Sequence, residues 1–275
     1  MKRVRLAVAL VGLVILAMAL ARVNPYFARE NPAGRSLRSG TSGATPDLRA
    51  LVAHYPLPPA GSVSVENVQG DIEVEGWDRA EVEVAAIKRA SGPAANPDDV
   101  HIEVEVRERR LVLRTVYPGQ SEEPVRVDYR LRVPRQVRLD HLRTVDGSIR
   151  VRRIEGSVKA HTLYGDIEQM NVSGSVEARA ISGNIAVSLR ALPEPPGAVY
   201  LDTVNGHVFL SLPSDANADL QLSTVAGRVD SRYALAVSDV PGDNTRRTRL
   251  GRGGTPVRLR TIRGDIHVTE NEELL

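Results

Sequence analysis

The fold is decided by the stretch from Thr144 to Val187, whose sequence is TVDGSIRVRRIEGSVKAHTLYGDIEQMNVSGSVEARAISGNIAV. Five glycines stand in this stretch at a constant interval of nine residues, and a short alternation of apolar and polar residues follows each. Alternation with a period of two is typical of a β-strand with one buried face. The stretch therefore predicts strands of about five residues joined by turns of about four.

The same frame recurs outside this stretch. In most copies a threonine is followed three residues later by glycine and two residues further by isoleucine or valine. Taking every second glycine gives a period of 18 residues in the tightest part, and seven copies can be aligned along the chain. Matched repetition of this kind indicates a stacked architecture. We therefore predict an all-β fold, a β-solenoid-like two-sheet repeat domain, preceded by an N-terminal signal or membrane helix and a flexible linker.

Two columns of residues are expected to build each coil. The glycines are expected at turns that need φ > 0, a conformation that costs a residue with a Cβ about 1–2 kcal/mol. The apolar residue two positions after most of them is expected to enter the core, at about 1.5–3 kcal/mol for full burial. The expected turn glycines are Gly70, Gly147, Gly156, Gly165, Gly174, Gly183, Gly206, Gly227 and Gly264. The expected core column is Ile72, Ile149, Ile167, Ile185, Val208, Val229 and Ile266.

The threonines of the repeat have the same parity as the interior residues, so we expect their hydroxyls to cap turn amides. Calcium-binding nonapeptide rolls share the interval of nine, but they need a Gly-Gly-x-Gly-x-Asp run at each turn. Because this chain lacks such runs, a calcium ladder is not expected.

The repeats also predict the domain organisation. The repeat domain should span residues 61–270, with a first copy at 63–74, flanking strands over 80–133 and tandem copies over 140–268. Residues 22–60 are rich in proline and glycine and predict a flexible linker.

Two shorter segments leave alternatives open. A short helical turn is conceivable near residues 47–54, inside the predicted linker. Residues 238–256 are rich in glycine and arginine and predict a basic loop. Such a loop either contacts anionic lipid or polysaccharide or is simply solvated.

The N-terminus carries an apolar segment. Residues 6–21 are 16 consecutive apolar residues behind a basic cluster of Lys2, Arg3 and Arg5. A helix of this length spans about 24 Å, against a hydrocarbon core of about 30 Å. Ala19-Leu20-Ala21 fits a cleavage site, so residues 1–21 are either a cleaved signal peptide or a membrane anchor. Both predict an extracytoplasmic protein, anchored to the membrane facing the periplasm or cell exterior, or secreted.

Composition excludes several kinds of site. The chain has no cysteine, which excludes disulfides, thiolate metal sites and cysteine nucleophiles. Three of its 36 basic residues precede the apolar segment, while none of its 34 acidic residues does. The sequence pI of about 9.0 is therefore partly a targeting feature, and no nucleic-acid partner is expected.

No catalytic constellation is evident in the sequence. None of the six histidines pairs with another at metal-ligand spacing. Stacking copies 18 residues apart places His161 beside Arg143 and Arg179. Serine-hydrolase, zinc-protease and phosphate-loop motifs are absent. We therefore expect no catalytic residue, no cofactor and no bound metal.

With the repeat in view, the chain resembles the bacterial putative-adhesin family over roughly residues 60–270. The matching runs are Gly70-Asp-Ile-Glu-Val, Trp77-Asp-Arg-Ala-Glu-Val-Glu-Val, Tyr129-Arg-Leu-Arg-Val-Pro134 and Val208-Phe-Leu-Ser-Leu-Pro213. The resemblance implies an N-terminal membrane segment or signal followed by a β-solenoid-like, two-sheet domain. No catalytic residues come with it.

Three functions are compatible with this sequence. The first is a non-enzymatic cell-envelope protein that presents its surface for adhesion, scaffolding or binding, with an envelope component, polysaccharide or protein as partner. Self-association is compatible with it, and the N-terminal segment supplies contact with the membrane. The second is a polysaccharide-active enzyme on a β-helical fold, which would need a groove with clustered carboxylates or arginines. The third is a membrane-coupled periplasmic sensory or stress-response domain.

Overall fold

The computed structural model describes residues 49–90, 95–117, 125–237 and 245–271. The predicted signal or anchor and residues 22–48 of the predicted linker lie outside the described residues. Those that are described form β-strands and one short 3-10 helix, Pro97–Asp99. The strands are β1 (Arg49–Pro56), β2 (Ser62–Glu66), β3 (Ile72–Trp77), β4 (Glu81–Ala90), β5 (His101–Arg107), β6 (Arg110–Val116), β7 (Val125–Pro134), β8 (Arg138–Asp146), β9 (Ile149–Arg152), β10 (Val158–Tyr164), β11 (Ile167–Val172), β12 (Val176–Ser182), β13 (Ile185–Leu189), β14 (Val199–Asn205), β15 (Val208–Leu212), β16 (Ala218–Ala226), β17 (Val229–Ser231), β18 (Ala236–Val237), β19 (Thr245–Leu250), β20 (Thr255–Arg263) and β21 (Ile266–Glu270).

The strands form two large sheets. The ten-stranded sheet has the order β1-β4-β7-β3-β9-β11-β13-β15-β21-β17. The eleven-stranded sheet has the order β18-β19-β16-β20-β14-β12-β10-β8-β2-β6-β5. Inward side chains of both sheets belong to one apolar core. The prediction of an all-β, solenoid-like, two-sheet domain is confirmed.

Each sequence repeat contributes one strand to each sheet. The copy that contains β10 and β11 stacks in parallel on the copy that contains β12 and β13, with Thr162 opposite Ala180 and Ile167 opposite Ile185. Because the side-chain period of a strand is two, equal spacing in every copy brings equivalent residues to the same face. The repeat therefore becomes a coil in which equivalent positions of the repeat lie above one another.

The last two copies stack in reverse order. Strand β20 lies between β14 and β16, and β21 lies between β15 and β17. The copy at residues 257–268 therefore inserts between two copies that precede it in sequence. The long connection after β17 makes this crossover possible, and Gly227 consequently stacks on Gly264 rather than on Gly206.

The N-terminal end of the coil is closed by antiparallel strands. Strands β1, β4 and β7 pair antiparallel at one end of the ten-stranded sheet, and β5 and β6 form a hairpin on the other sheet. The linker and the helical turn predicted from the sequence are wrong for residues 49–56, which form β1. This segment has no regular apolar period, and its strand forms because β4 offers a row of backbone groups to pair with.

The predicted basic loop is also wrong in part. Residues 245–250 form β19, which pairs antiparallel with β16 and puts Arg247 opposite Gln221. The sequence of β19 contains five polar side chains out of six, so it has no apolar alternation by which a strand could be recognised. Residues 238–244 lie outside the described part of the chain.

Six of the seven residues expected in the core column are buried: Ile72, Ile149, Ile167, Ile185, Val208 and Ile266. The seventh, Val229, is half-buried because β17 is the edge strand of its sheet. The column continues through β7 as Tyr129, which is fully buried and donates or accepts a 2.7 Å hydrogen bond with Thr115 Oγ1.

The core also contains an amide. Gln169 in β11 lies between Val151 and Val187 and is 0% exposed. Neither its Oε1 nor its Nε2 has a hydrogen-bond partner among the described residues. Burying an unpaired amide costs about 1–3 kcal/mol. Gln169 therefore weakens the core that its neighbours build.

We expect Gln169→Leu to raise the free energy of unfolding by about 1–2 kcal/mol, because leucine fills a similar volume without an amide to desolvate. Urea denaturation measures the change. The matched control is Val187→Leu, which adds volume to the same column without removing a polar group and should bring no gain. A loss of stability in Gln169→Leu would mean that the amide is paired in solution.

The glycines of the repeat are required mainly by close packing between coils. A Cβ on Gly165 would lie 2.2 Å from the carbonyl oxygen of Gly147, and one on Gly174 would lie 2.1 Å from that of Gly156. Only five of the nine expected turn glycines have the predicted left-handed φ: Gly70, Gly165, Gly183, Gly206 and Gly264. The expectation of φ > 0 is therefore wrong for Gly147, Gly156, Gly174 and Gly227. At all nine glycines, a backbone carbonyl from a neighbouring strand or turn comes so close that there is no room for a side chain.

The threonine hydroxyls donate hydrogen bonds to the glycine carbonyl oxygens that come close in this way. Thr162 Oγ1 donates to Gly147 O at 2.9 Å, and Thr203 Oγ1 donates to Gly183 O at 3.0 Å. Thr144, Thr224 and Thr261 make the same bond to the stacked glycine. The hydroxyls thus donate to carbonyls of the neighbouring coil instead of capping turn amides as predicted.

Seven residues that directly follow a glycine, together with Asp128, form a second line of hydrogen bonds, which we call the acceptor ladder. Each side chain except that of the last residue, Arg228, accepts the backbone N–H of the equivalent residue in the next coil. Asn184 N donates to Asp166 Oδ1 at 2.7 Å, for example, and His207 N donates to Asn184 Oδ1 at 2.9 Å. The ladder runs through Asp128, Asp71, Ser148, Asp166, Asn184, His207, Asp265 and Arg228.

Candidate functional site

The outward side chains of the eleven-stranded sheet form a basic surface. Strands β8, β10, β12, β14, β20, β16 and β19 lie side by side there, at about 4.8 Å per strand. Their outward side chains fall into rows because the strands are in register. One row contains Lys159, Glu177, Tyr200, Arg258, Gln221 and Arg247. The next contains Arg143, His161, Arg179, Asp202, Arg260 and Ser223. We call these two rows, with Asp219 and Arg249 at their edge, the basic face.

Cations outnumber carboxylates on the basic face. Its three carboxylates are Glu177, Asp202 and Asp219, against the seven cations Arg143, Lys159, Arg179, Arg247, Arg249, Arg258 and Arg260. Two ion pairs lie within it, Arg179 with Glu177 at 2.9 Å and Arg249 with Asp219 at 2.9 Å. The basic face therefore carries more cationic than anionic side chains.

An aromatic ring lies at the centre of the basic face. Tyr200 is 36% exposed, and the guanidinium of Arg258 lies 5.7 Å from the centre of its ring. Beside them a shallow depression is lined partly by Gln221, Arg247 and Arg258. A flat ring with an arginine beside it suits a sugar ring that carries acidic groups.

Burial shifts the pKa of two groups in the second row. Desolvation raises the pKa of the Asp202 carboxyl, and Arg260 and Arg179 oppose this shift. The pKa of His161 is lowered to about 4, chiefly by desolvation; the Glu177 carboxylate opposes this shift, and Arg143 and Arg179 add to it. The Nε2 atom of His161 lies 3.5 Å from Glu177 Oε1. The structure thus confirms Arg143 and Arg179 as the neighbours of His161 and keeps this imidazole neutral at pH 7.

The outward face of the ten-stranded sheet is different, because its charges alternate. A depression there is lined by Glu73, Glu75, Glu83 and by four arginines. Arg130 and Arg150 lie 3.3 Å and 3.4 Å from Glu73, and Arg132 lies 3.4 Å from Glu83. Arg153 pairs with Glu75. Carboxylates and arginines are thus clustered as the enzyme hypothesis requires, but each glutamate is ion-paired with arginine.

Three residues that sequence spacing did not associate meet at the far end of this second face. His207, Asp265 and His267 lie on the adjacent strands β15 and β21 or just before them. The signal that could have found them is the stacking of the copy at 257–268 directly on the copy at 199–210. Sequence order conceals it, because the copy at 220–229 intervenes.

The comparison with protein families agrees with this architecture. Residues 58–269 match the model of the family described as Toastrack DUF4097. The chain belongs to this family. The match covers the coil of the Toastrack domain from the turn before β2 to the end of β21. No curated protein matches the chain.

Several solved structures resemble the Toastrack domain at low identity. A putative cell adhesion protein from Clostridium sporogenes is 14% identical, with a TM-score of 0.49, 82% of this chain and 100% of that chain covered. A putative adhesin from Bacteroides fragilis is 9% identical, with a TM-score of 0.35 and coverage of 83% and 100%. A putative lipid binding protein from Parabacteroides distasonis is 10% identical, with a TM-score of 0.36 and coverage of 82% and 98%.

The described residues contain no helix that is both long enough and apolar enough to cross a membrane. The apolar segment at residues 6–21 falls outside them.

Proposed function

We propose that this protein is a non-enzymatic binding protein of the cell envelope, and that its Toastrack domain binds an acidic polysaccharide on the basic face. The observation that supports the proposal most is the excess of seven cationic side chains over three carboxylates on the basic face, with Tyr200 and Arg258 in contact at its centre. Cations repeated along a rigid sheet match a polymer that repeats its carboxylates. The location in the envelope rests on the apolar segment at residues 6–21, and mass spectrometry of the mature protein tests whether that segment is retained.

Binding to polygalacturonate, with neutral dextran as the comparison, tests the proposal. We expect the full-length protein to bind the uronate polymer and not dextran, with an affinity that falls as salt is added. The double variant Lys159→Gln, Arg258→Gln should weaken binding at least about tenfold, since it removes two cations from one row and tenfold corresponds to about 1.4 kcal/mol.

The matched control is Arg130→Gln, Arg152→Gln on the outward face of the ten-stranded sheet, which removes the same net charge. It should leave binding unchanged. An equal loss in both double variants would show that net charge alone attracts the polymer, and equal binding of dextran would contradict the proposal. Shortening of the polymer during incubation would favour the polysaccharide-active enzyme instead.

A further inference from the structure

Two imidazoles and a carboxylate converge on the outward face of the ten-stranded sheet. One ligand atom each from His207, Asp265 and His267 lies within 4.8 Å of the other two. His207 and Asp265 follow the stacked glycines Gly206 and Gly264, and His267 is two residues beyond Asp265. All three are partly exposed, so an ion can reach them from solvent. We propose that these three residues bind a divalent transition-metal ion of the zinc class.

In the absence of metal, the acceptor ladder orients two of these side chains by one hydrogen bond each. His207 Nδ1 accepts the backbone N–H of Asp265 at 3.1 Å, which places the ring proton on Nε2 in the absence of metal. Asp265 Oδ1 accepts the backbone N–H of Arg228 at 2.7 Å. Oδ2 of Asp265 is not used by the ladder. Zinc binding to His207 has to break the ladder bond from the Asp265 N–H: the ring proton moves from Nε2 to Nδ1, and the lone pair freed on Nε2 binds the ion. The Asp265 N–H lies at an exposed position, where water accepts its hydrogen bond instead.

The third ligand is held by its neighbours on both sides. The ring of His267 stacks on Phe209, with centroids 5.1 Å apart and planes inclined by 8°. On the other side, Asp230 Oδ2 lies 3.6 Å from His267 Nδ1. A carboxylate beside the second nitrogen of a ligating histidine orients the ring and increases its basicity. Asp230 is either this orienting group or a fourth ligand.

The donor set indicates the class of ion. Two imidazole nitrogens with one carboxylate oxygen suit Zn²⁺ and its neighbours Cu²⁺, Ni²⁺ and Co²⁺, whereas Ca²⁺ and Mg²⁺ prefer oxygen ligands. Three protein ligands leave at least one position of a tetrahedral ion open. The site is confined to one place on the coil, because the residues equivalent to His267 on strands β13, β11 and β9 are Ala186, Glu168 and Arg150.

Calorimetric titration of the chelator-treated full-length protein with ZnCl₂ tests the site. We expect one ion per chain with micromolar affinity. His267→Ala should weaken binding at least tenfold. His207→Asn should do the same while keeping the ladder, because Asn184 already performs the same accepting role one coil away. His101→Ala, an exposed histidine on β5, is the control and should bind zinc as the wild type does.

Thermal unfolding supplies a second measurement. Without zinc, His207→Asn and the wild type should unfold at similar temperatures, which shows that the coil is intact. Zinc should raise the unfolding temperature of the wild type and not that of His207→Asn. Equal zinc affinity in the wild type, His207→Asn and His267→Ala, or binding only at millimolar zinc, would overturn the proposal.

Discussion

Gly174→Ala is expected to lower the free energy of unfolding by more than about 4 kcal/mol, an effect large enough to require a specific steric cause. The new Cβ would lie 2.1 Å from the carbonyl oxygen and 2.4 Å from the carbonyl carbon of Gly156. Both atoms belong to the backbone of the adjacent coil, so no side chain can rotate away to relieve the clash. The coils would have to separate, and core contacts would be lost on both sheets. Urea denaturation followed by circular dichroism measures the loss.

The control separates steric clash from backbone conformation. Gly174 lacks a left-handed φ, so its substitution should act only through the contact with Gly156. Gly254 is the opposite case, because its φ is +118° and nothing lies within 4 Å of a Cβ built there. We expect Gly254→Ala to cost about 1–3 kcal/mol from backbone strain alone. If Gly174→Ala cost no more than Gly254→Ala, the close approach of the coils would not be what requires glycine.

The stability of the domain should fall between pH 6.5 and pH 4 partly because of His161. The pKa of this imidazole is lowered from 6.5 to about 4 in the folded state, chiefly by burial. Over that interval the unfolded chain takes up a proton that the folded chain does not, so acidification favours unfolding. The contribution of neutral His161 to the free energy of unfolding is complete above pH 6.5 and is lost as the pH falls to 4. A shift of this size corresponds to about 3 kcal/mol.

The variant His161→Leu isolates this contribution. Its free energy of unfolding should depend less on pH than that of the wild type between pH 6.5 and 4, while both should share the dependence contributed by other groups. His101→Gln, on exposed β5, should retain the pH dependence of the wild type. Parallel curves for His161→Leu and the wild type would show that the folded protein accommodates the imidazolium.

Sequence periodicity predicts much of this fold, because residues that are spaced equally in the sequence come to lie in equivalent places in the stacked coils. Ile167 and Ile185 share a column, and His161 lies between two arginines, for that reason alone. The strand β1 could not be predicted, since it depends on pairing with β4 rather than on its own pattern. Nor could the reversed order of the last two copies, because nothing in residues 220–268 indicates which copy pairs with β14.

The candidate sites depend on information of different kinds. Alternation along each strand shows which side chains point outward, so the part of the basic face that contains Lys159 and Arg179 could be derived from the sequence once the stacking order is known. Arg258 reaches Tyr200 only because β20 lies beside β14. His207 meets Asp265 for the same reason. Contacts between neighbouring copies are thus predictable, whereas those made by the inserted copy require the structure.

The acceptor ladder has a direction, and it ends at Arg228. From Asp128 at one end to Asp265 near the other, each side chain of the ladder accepts a hydrogen bond from the backbone N–H of the next coil. The last residue of the ladder is Arg228, and its guanidinium has no lone pair that could accept a hydrogen bond from another N–H. A further coil stacked on Arg228 would find no side-chain acceptor for its amide at this position. The chemistry of one side chain thus ends a line of hydrogen bonds that the shape of the coil would otherwise allow to continue.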